Sequence, residues 1–252
     1  MALFMEMVAL GPDAKISVSD IQRDLAINWP DLPPLLGANE QKGVIDFHIG
    51  DFQVFIGQMP APIPWSQLEG PCATSFLWKD AEKALRQHTS HLIVTVFGEA
   101  TPLQLASLLT KVIAAILGTC TAAIGVYWGS ATLVVPSNIF RQFAIRVLPE
   151  GPPIQIWIDF RVGRNEQAKS FGFTHGLTNF GLMEMETQNA SESPVQLRDR
   201  LWSLATYLLE NGPVIRDRNT VGKDAKERIR VVYSPSAFGH KTEVMRLDYE
   251  LL

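Results

Sequence analysis

The sequence predicts an α+β protein: a mixed, largely antiparallel sheet, or two abutting sheets, with helices packed mainly on one face. Three observations predict it. Apolar and polar residues alternate with period two at 44–48, 52–57 and 154–162, the pattern of strands with one buried face. Two other stretches, 102–117 and 194–211, carry apolar residues at helical spacing. Strands and helices alternate in the first part of the chain, whereas strands follow one another in the second. The 252 residues suffice for one large domain or two smaller ones. Pro149, Gly151, Pro152 and Pro153 form the clearest break. The expected division is 1–148, an N-terminal α/β portion, and 149–252, a C-terminal α+β portion, with a single continuous domain as the other option.

The elements of the first portion follow from local signals. Residues 2–9 are apolar enough for a strand. Ser17 or Ser19 caps a helix that ends near Asn28, before Trp29-Pro30. Residues 30–43 hold three prolines and are expected to be a loop. The alternating runs 44–48 and 52–57, separated by Gly50-Asp51, give a hairpin. The Pro-rich stretch 59–64 leads to a short helix carrying Trp65 and Leu68. Residues 79–88 suit a charged amphipathic helix and 91–97 a central strand. Thr101 and Pro102 open a core helix that Gly118 closes. A strand at 122–128 and a helix at 136–147 complete this portion.

In the second portion, 154–162 places Ile154, Ile156, Ile158 and Phe160 on one face and Gln155, Trp157, Asp159 and Arg161 on the other. Residues 171–174 and 180–186 follow as neighbours, which predicts a three-stranded meander with Glu184 and Glu186 on a wet or partner-facing side. Ser193-Pro194 starts a long helix with a stripe of leucines, and Gly212 ends it. Residues 214–215, 229–233 and 244–249 are the last expected strands.

Hydrophobic residues make up 46% of the chain and charged residues 19%, which excludes a disordered protein. The net charge of -4 gives no general attraction to nucleic acid. From Glu192 onward there are 10 Lys/Arg and 9 Asp/Glu, against 12 and 17 before it, so the acidic excess lies upstream. It is either a solvated face or a docking surface for a basic partner. Cys72 and Cys120 form no Cys-x-x-Cys pattern, and two free thiols are expected. The apolar N-terminus lacks a basic leader and is interrupted by Glu6, so it reads as a strand and not as a signal peptide. The core helix is shorter than a bilayer span and contains Lys111. A cytoplasmic protein without membrane contact is expected.

No catalytic constellation emerges. His48, His88, His91, His175 and His240 form no His-Glu-x-x-His pattern. His88 and His91 flank a helix-to-strand turn and suit capping roles better than a metal site. Gly-x-Ser-x-Gly is absent, and Gly125 to Gly129 lacks the ending of a phosphate loop. Asp159, Glu184 and Glu186 could lie together like a carboxylate pair, but Arg161 and Lys169 make an ion-pair ladder the simpler expectation. The expected catalytic residues, metal ligands and cofactors are therefore none, and no small-molecule ligand is expected. Trp65, in a Pro-rich segment, and Trp157, on the polar side of its strand, are the contact candidates, because exposed tryptophan marks interfaces. Asp46 and Asp51, on either side of a hairpin turn, are the electrostatic candidates.

The segment Thr174 to Glu186, with Gly212 to Gly222 and the closing Glu227 to Ser236, resembles a bacterial domain-of-unknown-function family of the DUF4261 type. The resemblance covers mainly 85–250 and is strongest from His175 to Pro235. The family's Asp-Gly-Asp-Thr-like turn reads Asp217-Arg218-Asn219-Thr220 here. Members resemble proteins encoded near secreted-toxin and type VI secretion genes. The resemblance implies an immunity protein that neutralises a cognate toxin or effector, such as a nuclease, by stoichiometric binding. The alternatives are an enzyme or small-molecule-binding domain around His175, Asp159 and Glu184, and an effector-loading chaperone or adaptor.

Overall fold

The computed structural model describes residues 2–222 and 227–249. The chain divides into two compact units, unit 1 (Met1–Ile156) and unit 2 (Trp157–Leu252). Each holds one largely antiparallel sheet with helices, so the fold is α+β, as the alternation and the helical stripes predict.

Unit 1 runs β1 (Ala2–Leu10), α1 (Val18–Asn28), β2 (Leu35–Gln41), β3 (Val44–Ile49), β4 (Phe52–Met59), α2 (Trp65–Thr74), α3 (Ala81–Leu85), β5 (Ser90–Gly98), α4 (Pro102–Thr119), β6 (Ala123–Trp128), β7 (Leu133–Pro136) and α5 (Ser137–Arg146). The sheet order is β2-β3-β4-β5-β1-β6-β7, and every pairing is antiparallel. The N-terminal strand thus lies inside the sheet, between β5 and β6.

Helix α4 forms because Thr101 and Gln104 make a capping box, Pro102 fits the first turn, and Leu105, Leu109, Val112, Ile113 and Ile116 bury one stripe. It is apolar and long enough to cross a membrane by composition, but it packs on β1 and β5 between α1 and α5. Gly118 does not end it. The helix continues to Thr119, and the bare Gly118 leaves space for the Arg141 guanidinium, which a Cβ there would displace. Arg141 in turn pairs with Asp24 at 2.7 Å and donates to the Ala114 carbonyl, tying α5 to α1 and α4.

Two strands of unit 1 were hidden in the sequence. Residues expected to be loop include β2, which turns into β3 through Lys42 and Gly43, both at positive φ (51° and 77°) as a type I′ hairpin requires. The prolines that suggest a loop stop at Pro34. The four-residue β7 is too short for any periodicity.

Unit 2 runs β8 (Asp159–Arg164), β9 (Ser170–His175), β10 (Met185–Ala190), α6 (Pro194–Asn211), β11 (Thr220–Val221), β12 (Ile229–Ser234) and β13 (Val244–Asp248), in the order β11-β12-β13-β10-β9-β8. Among the described residues only β10 and β13 pair in parallel. The expected meander of β8, β9 and β10 is present. Helix α6 carries a Ser193/Gln196 capping box and packs on β8 and β9, with Trp202 stacked on Phe160 and Leu197 over Gly172.

The expected strand from residue 154 is corrected. Ile154–Ile156 is a 3-10 turn closed onto the Pro152 and Pro153 carbonyls, and β8 begins only at Asp159. The alternation there is incidental, because two successive prolines direct a tight turn. Trp157 is consequently 1% exposed and stacked on Phe180, not displayed on a strand. The solvent-facing role expected for Glu184 and Glu186 is corrected too. They are 1% and 0% exposed. Residues 177–180 form a 3-10 turn, so only Glu186 lies within β10.

Candidate functional site

The cross-strand register of unit 1 sorts its side chains into two faces. On one, Ile45, Ile56 and Val94 share a row with Glu6, and Phe47, Val54 and Val96 share the next with Phe4. This face is the buried one, under α1, α4 and α5.

The opposite face is built differently. One row reads Leu36, His48, Gln53, Phe97 and Leu3 across five strands. The next reads Asn39, Asp46, Phe55, Thr95 and Met5, and the third Gln41, Val44, Gly57, Ile93 and Met7. Toward β6 and β7 the face is covered: Met7, Ala9 and Tyr127 pack with Ile63, Leu68, Cys72 and Leu85 of the α2–α3 layer. Toward β4 and β2 it is open. Leu3 is 54% exposed, Met5 45%, Val44 41% and Leu36 61%. Phe55 and Phe97 meet edge to face at 5.5 Å between them, which fixes their rings as a rigid centre.

No Lys or Arg stands in these three rows. The only formal charge is Asp46, whose carboxylate accepts from the Asn39 amide at 3.2 Å. Asp51, in the β3–β4 turn, and Glu99 line an open cleft of about 530 Å³ at the end of the face, with His48, Gln53, Phe97 and Gly98. The two electrostatic candidates therefore border one surface, and the exposed apolar residues between them carried no sequence signal. Leu3 and Met5 look like core residues until the register places them.

Trp65 sits at the covered end of the same face. It packs on the α2–α3 cluster beneath the Arg86 guanidinium, 3.9 Å from its ring, with its indole N–H unpartnered among the described residues. His88 and His91 position this segment. His88 Nε2 accepts from the Ile63 amide at 2.7 Å while its Nδ1 meets the Leu85 carbonyl, and His91 Nδ1 binds the Ala61 carbonyl at 2.7 Å. Among the described residues no three ligating side chains converge as a metal site. Cys72 and Cys120 are free and buried, and burial raises the Cys72 thiol to about 11.

Glu6 is the carboxylate whose burial the sequence did not reveal. It is 2% exposed and accepts from Ser130 Oγ at 2.6 Å and from the Gly129 amide. Burial raises its pKa to about 8, against those donors, which pull it down. The same burial, with Glu6 nearby, raises Tyr127. Glu6 holds the turn after β6 onto the sheet centre.

In unit 2 the acidic and imidazole groups do gather. Asp159 pairs with Arg161 at 2.6 Å and stands opposite His175, which stacks on His240 at 5.5 Å. Phe238 lies over Phe173 at 4.8 Å, so the 236–240 segment straps this face of the sheet. Burial raises Asp159, and burial, more than the neighbouring charges, lowers His175. Among the described residues the two glutamates take no part in an ion-pair ladder. Glu184 accepts from Thr174 Oγ1 at 2.7 Å, from the Gly176 and Thr178 amides at 2.8 and 3.1 Å, and from Thr178 Oγ1. Glu186 accepts from Ser236 Oγ at 2.8 Å and the Ala237 amide at 2.9 Å, and so anchors the strap. Both do the work of backbone partners.

Residues 173–248, from β9 to the end of β13, match the family model of DUF4261, a domain of unknown function. No curated protein and no solved structure matches the chain.

Proposed function

We propose that this chain is an immunity protein, which binds a cognate antibacterial toxin stoichiometrically and neutralises it, the toxin being a secreted effector such as a type VI nuclease. The observation that carries the proposal is the open, acid-bordered apolar face of unit 1, a surface of the kind that marks protein association. A nuclease must hold phosphates with cations, so its binding region complements such a surface. The likeness of 173–248 to a domain-of-unknown-function family agrees with this reading without naming an activity. Two free thiols suit a reducing cytoplasm, where such a protein would act. Co-expression with the toxin encoded beside it tests the proposal. Protection, with one co-migrating complex on gel filtration, is expected. Unchanged lethality and separate elution refute it.

A second reading is favoured by the Asp159, His175 and His240 group, which would serve an enzyme or a small-molecule site. Its test is His175→Asn with His240→Asn. Loss of function at unchanged stability would support it.

A further inference from the structure

We infer that the open face of unit 1 is a seat for one amphipathic, cation-bearing helix of a partner protein, laid over β4, β5 and β1. The inference deepens the binding function proposed above and rests on it for the partner's existence. Three observations lead to it.

The first is a missing layer. A sheet is ordinarily covered by helices or another sheet on its apolar faces. In unit 1, α1, α4 and α5 cover one face, and α2 with α3 covers the β6–β7 end of the other. The remaining part keeps Leu3 and Met5 in water, at 54% and 45% exposure, beside the Phe55–Phe97 pair. These residues lie on neighbouring strands in register, so they form one patch and not scattered exposures.

The second is dimension. Strands lie about 4.8 Å apart, so β4, β5 and β1 span about 10 Å, the width of one helix with its side chains. The α2–α3 layer closes one side of this strip, and on β2 and β3 the rows turn largely polar at Asn39, Gln41, Asp46 and His48, so the apolar strip between them is about one helix wide.

The third is charge. Asp46, Asp51 and Glu99 flank the apolar strip, and the three rows contain no cationic side chain. A second copy of this chain would bring like charges together, which is unfavourable. A helix with an apolar stripe and Lys or Arg beside it satisfies both the strip and the rim.

The test uses the full chain as bait for a display library of random helical peptides about 18 residues long. Enriched sequences are expected to carry apolar residues at i, i+3, i+4 and i+7 with adjacent Lys or Arg. Their affinity is expected to fall about 30-fold or more for Met5→Lys, the loss typical of a central contact. Leu3→Ser, a milder change at a more exposed site, guards against misfolding of the first variant. Asp46→Asn, Asp51→Asn and Glu99→Gln together should slow association about tenfold at low salt and flatten its salt dependence. No enrichment, acidic or uncharged winners, or binding indifferent to both Met5→Lys and Leu3→Ser overturns the inference. So does a dimer in sedimentation that Met5→Lys dissolves, since the occupant is then a second copy. Toxin protection that survives Met5→Lys overturns this seat and leaves neutralisation standing. Helix binding without protection does the reverse.

Discussion

Replacing Glu6 by Gln should change the pH dependence of stability more than any other single substitution in unit 1. The carboxyl stands at the centre of the sheet and is held at about 8, against an ordinary value of 4.5. Its folded-state pKa is raised, so folding takes up a proton. The stability of the native protein from this site is fully present below pH 4.5 and is lost as pH rises through about 8. The slope between those limits is about 1.4 kcal/mol per pH unit, and the whole loss is about 5 kcal/mol. Gln keeps the volume and cannot ionise. It also presents an amide N–H₂ where Ser130 Oγ and the Gly129 amide both need an acceptor, which costs about 2 kcal/mol. The variant should therefore be about 1 kcal/mol less stable than the native chain near pH 5 and about 2 kcal/mol more stable near pH 8. Urea unfolding of both proteins across this range gives the answer. The difference between the two curves is the readout, because other titrating groups cancel in it. A difference that stays flat with pH would refute the argument, since Glu6 would then ionise in the folded state as it does in the unfolded one.

Glu184→Ala should cost about 3 kcal/mol or more, because the Gly176 and Thr178 amides lose a buried charged acceptor; equal melting temperatures would contradict it. The same logic means that joint Ala substitution of His175, Glu184 and Glu186 abolishes folding of unit 2, seen as loss of near-ultraviolet dichroism. Arg200→Ala should cost about 3–5 kcal/mol by stranding Glu192 and Glu227, which it bridges at 2.6 and 2.5 Å; denaturant midpoints will show it. Gly125→Ala should destabilise unit 1, since the new Cβ would lie 2.5 Å from the Trp78 ring and 2.8 Å from the Val135 carbonyl; Trp fluorescence during unfolding reports it. Burial depresses His175, so its contribution is present above its ordinary 6.5 and is lost as pH falls below that; His175→Asn should remove this acid sensitivity, opposite in sign to that of Glu6.

Where local chemistry decides structure, the sequence was legible. Thr101-Pro102 and Ser193-Pro194 mark both long helices, and Gly50-Asp51 marks the β3–β4 turn. Where structure depends on register, it was not. The exposure of Met5 and the burial of Glu6 are neighbouring facts on one strand, decided by which strands flank β1. Glu184 and Glu186 read as wet carboxylates because their partners are backbone amides and hydroxyls, which leave no charge pattern in the sequence. Trp157 misled for a simpler reason: two prolines convert apparent alternation into a turn. The docking candidates split accordingly. Asp46 and Asp51 lie where turn chemistry put them, while the apolar strip beside them required the assembled sheet.

The position of β1 has a consequence for synthesis. It leaves the ribosome before the rest of its sheet, yet its two neighbours are β5, which begins at Ser90, and β6, which ends at Trp128. For about 80 residues of elongation, at about 5–20 residues per second, this strongly apolar strand has neither partner. Such a segment is prone to pair with copies of itself on neighbouring nascent chains. Glu6 stands in its middle, ionised while the strand waits in water and protonated once it is enclosed. The carboxyl that costs the finished sheet stability thus guards the strand during the interval before the sheet exists.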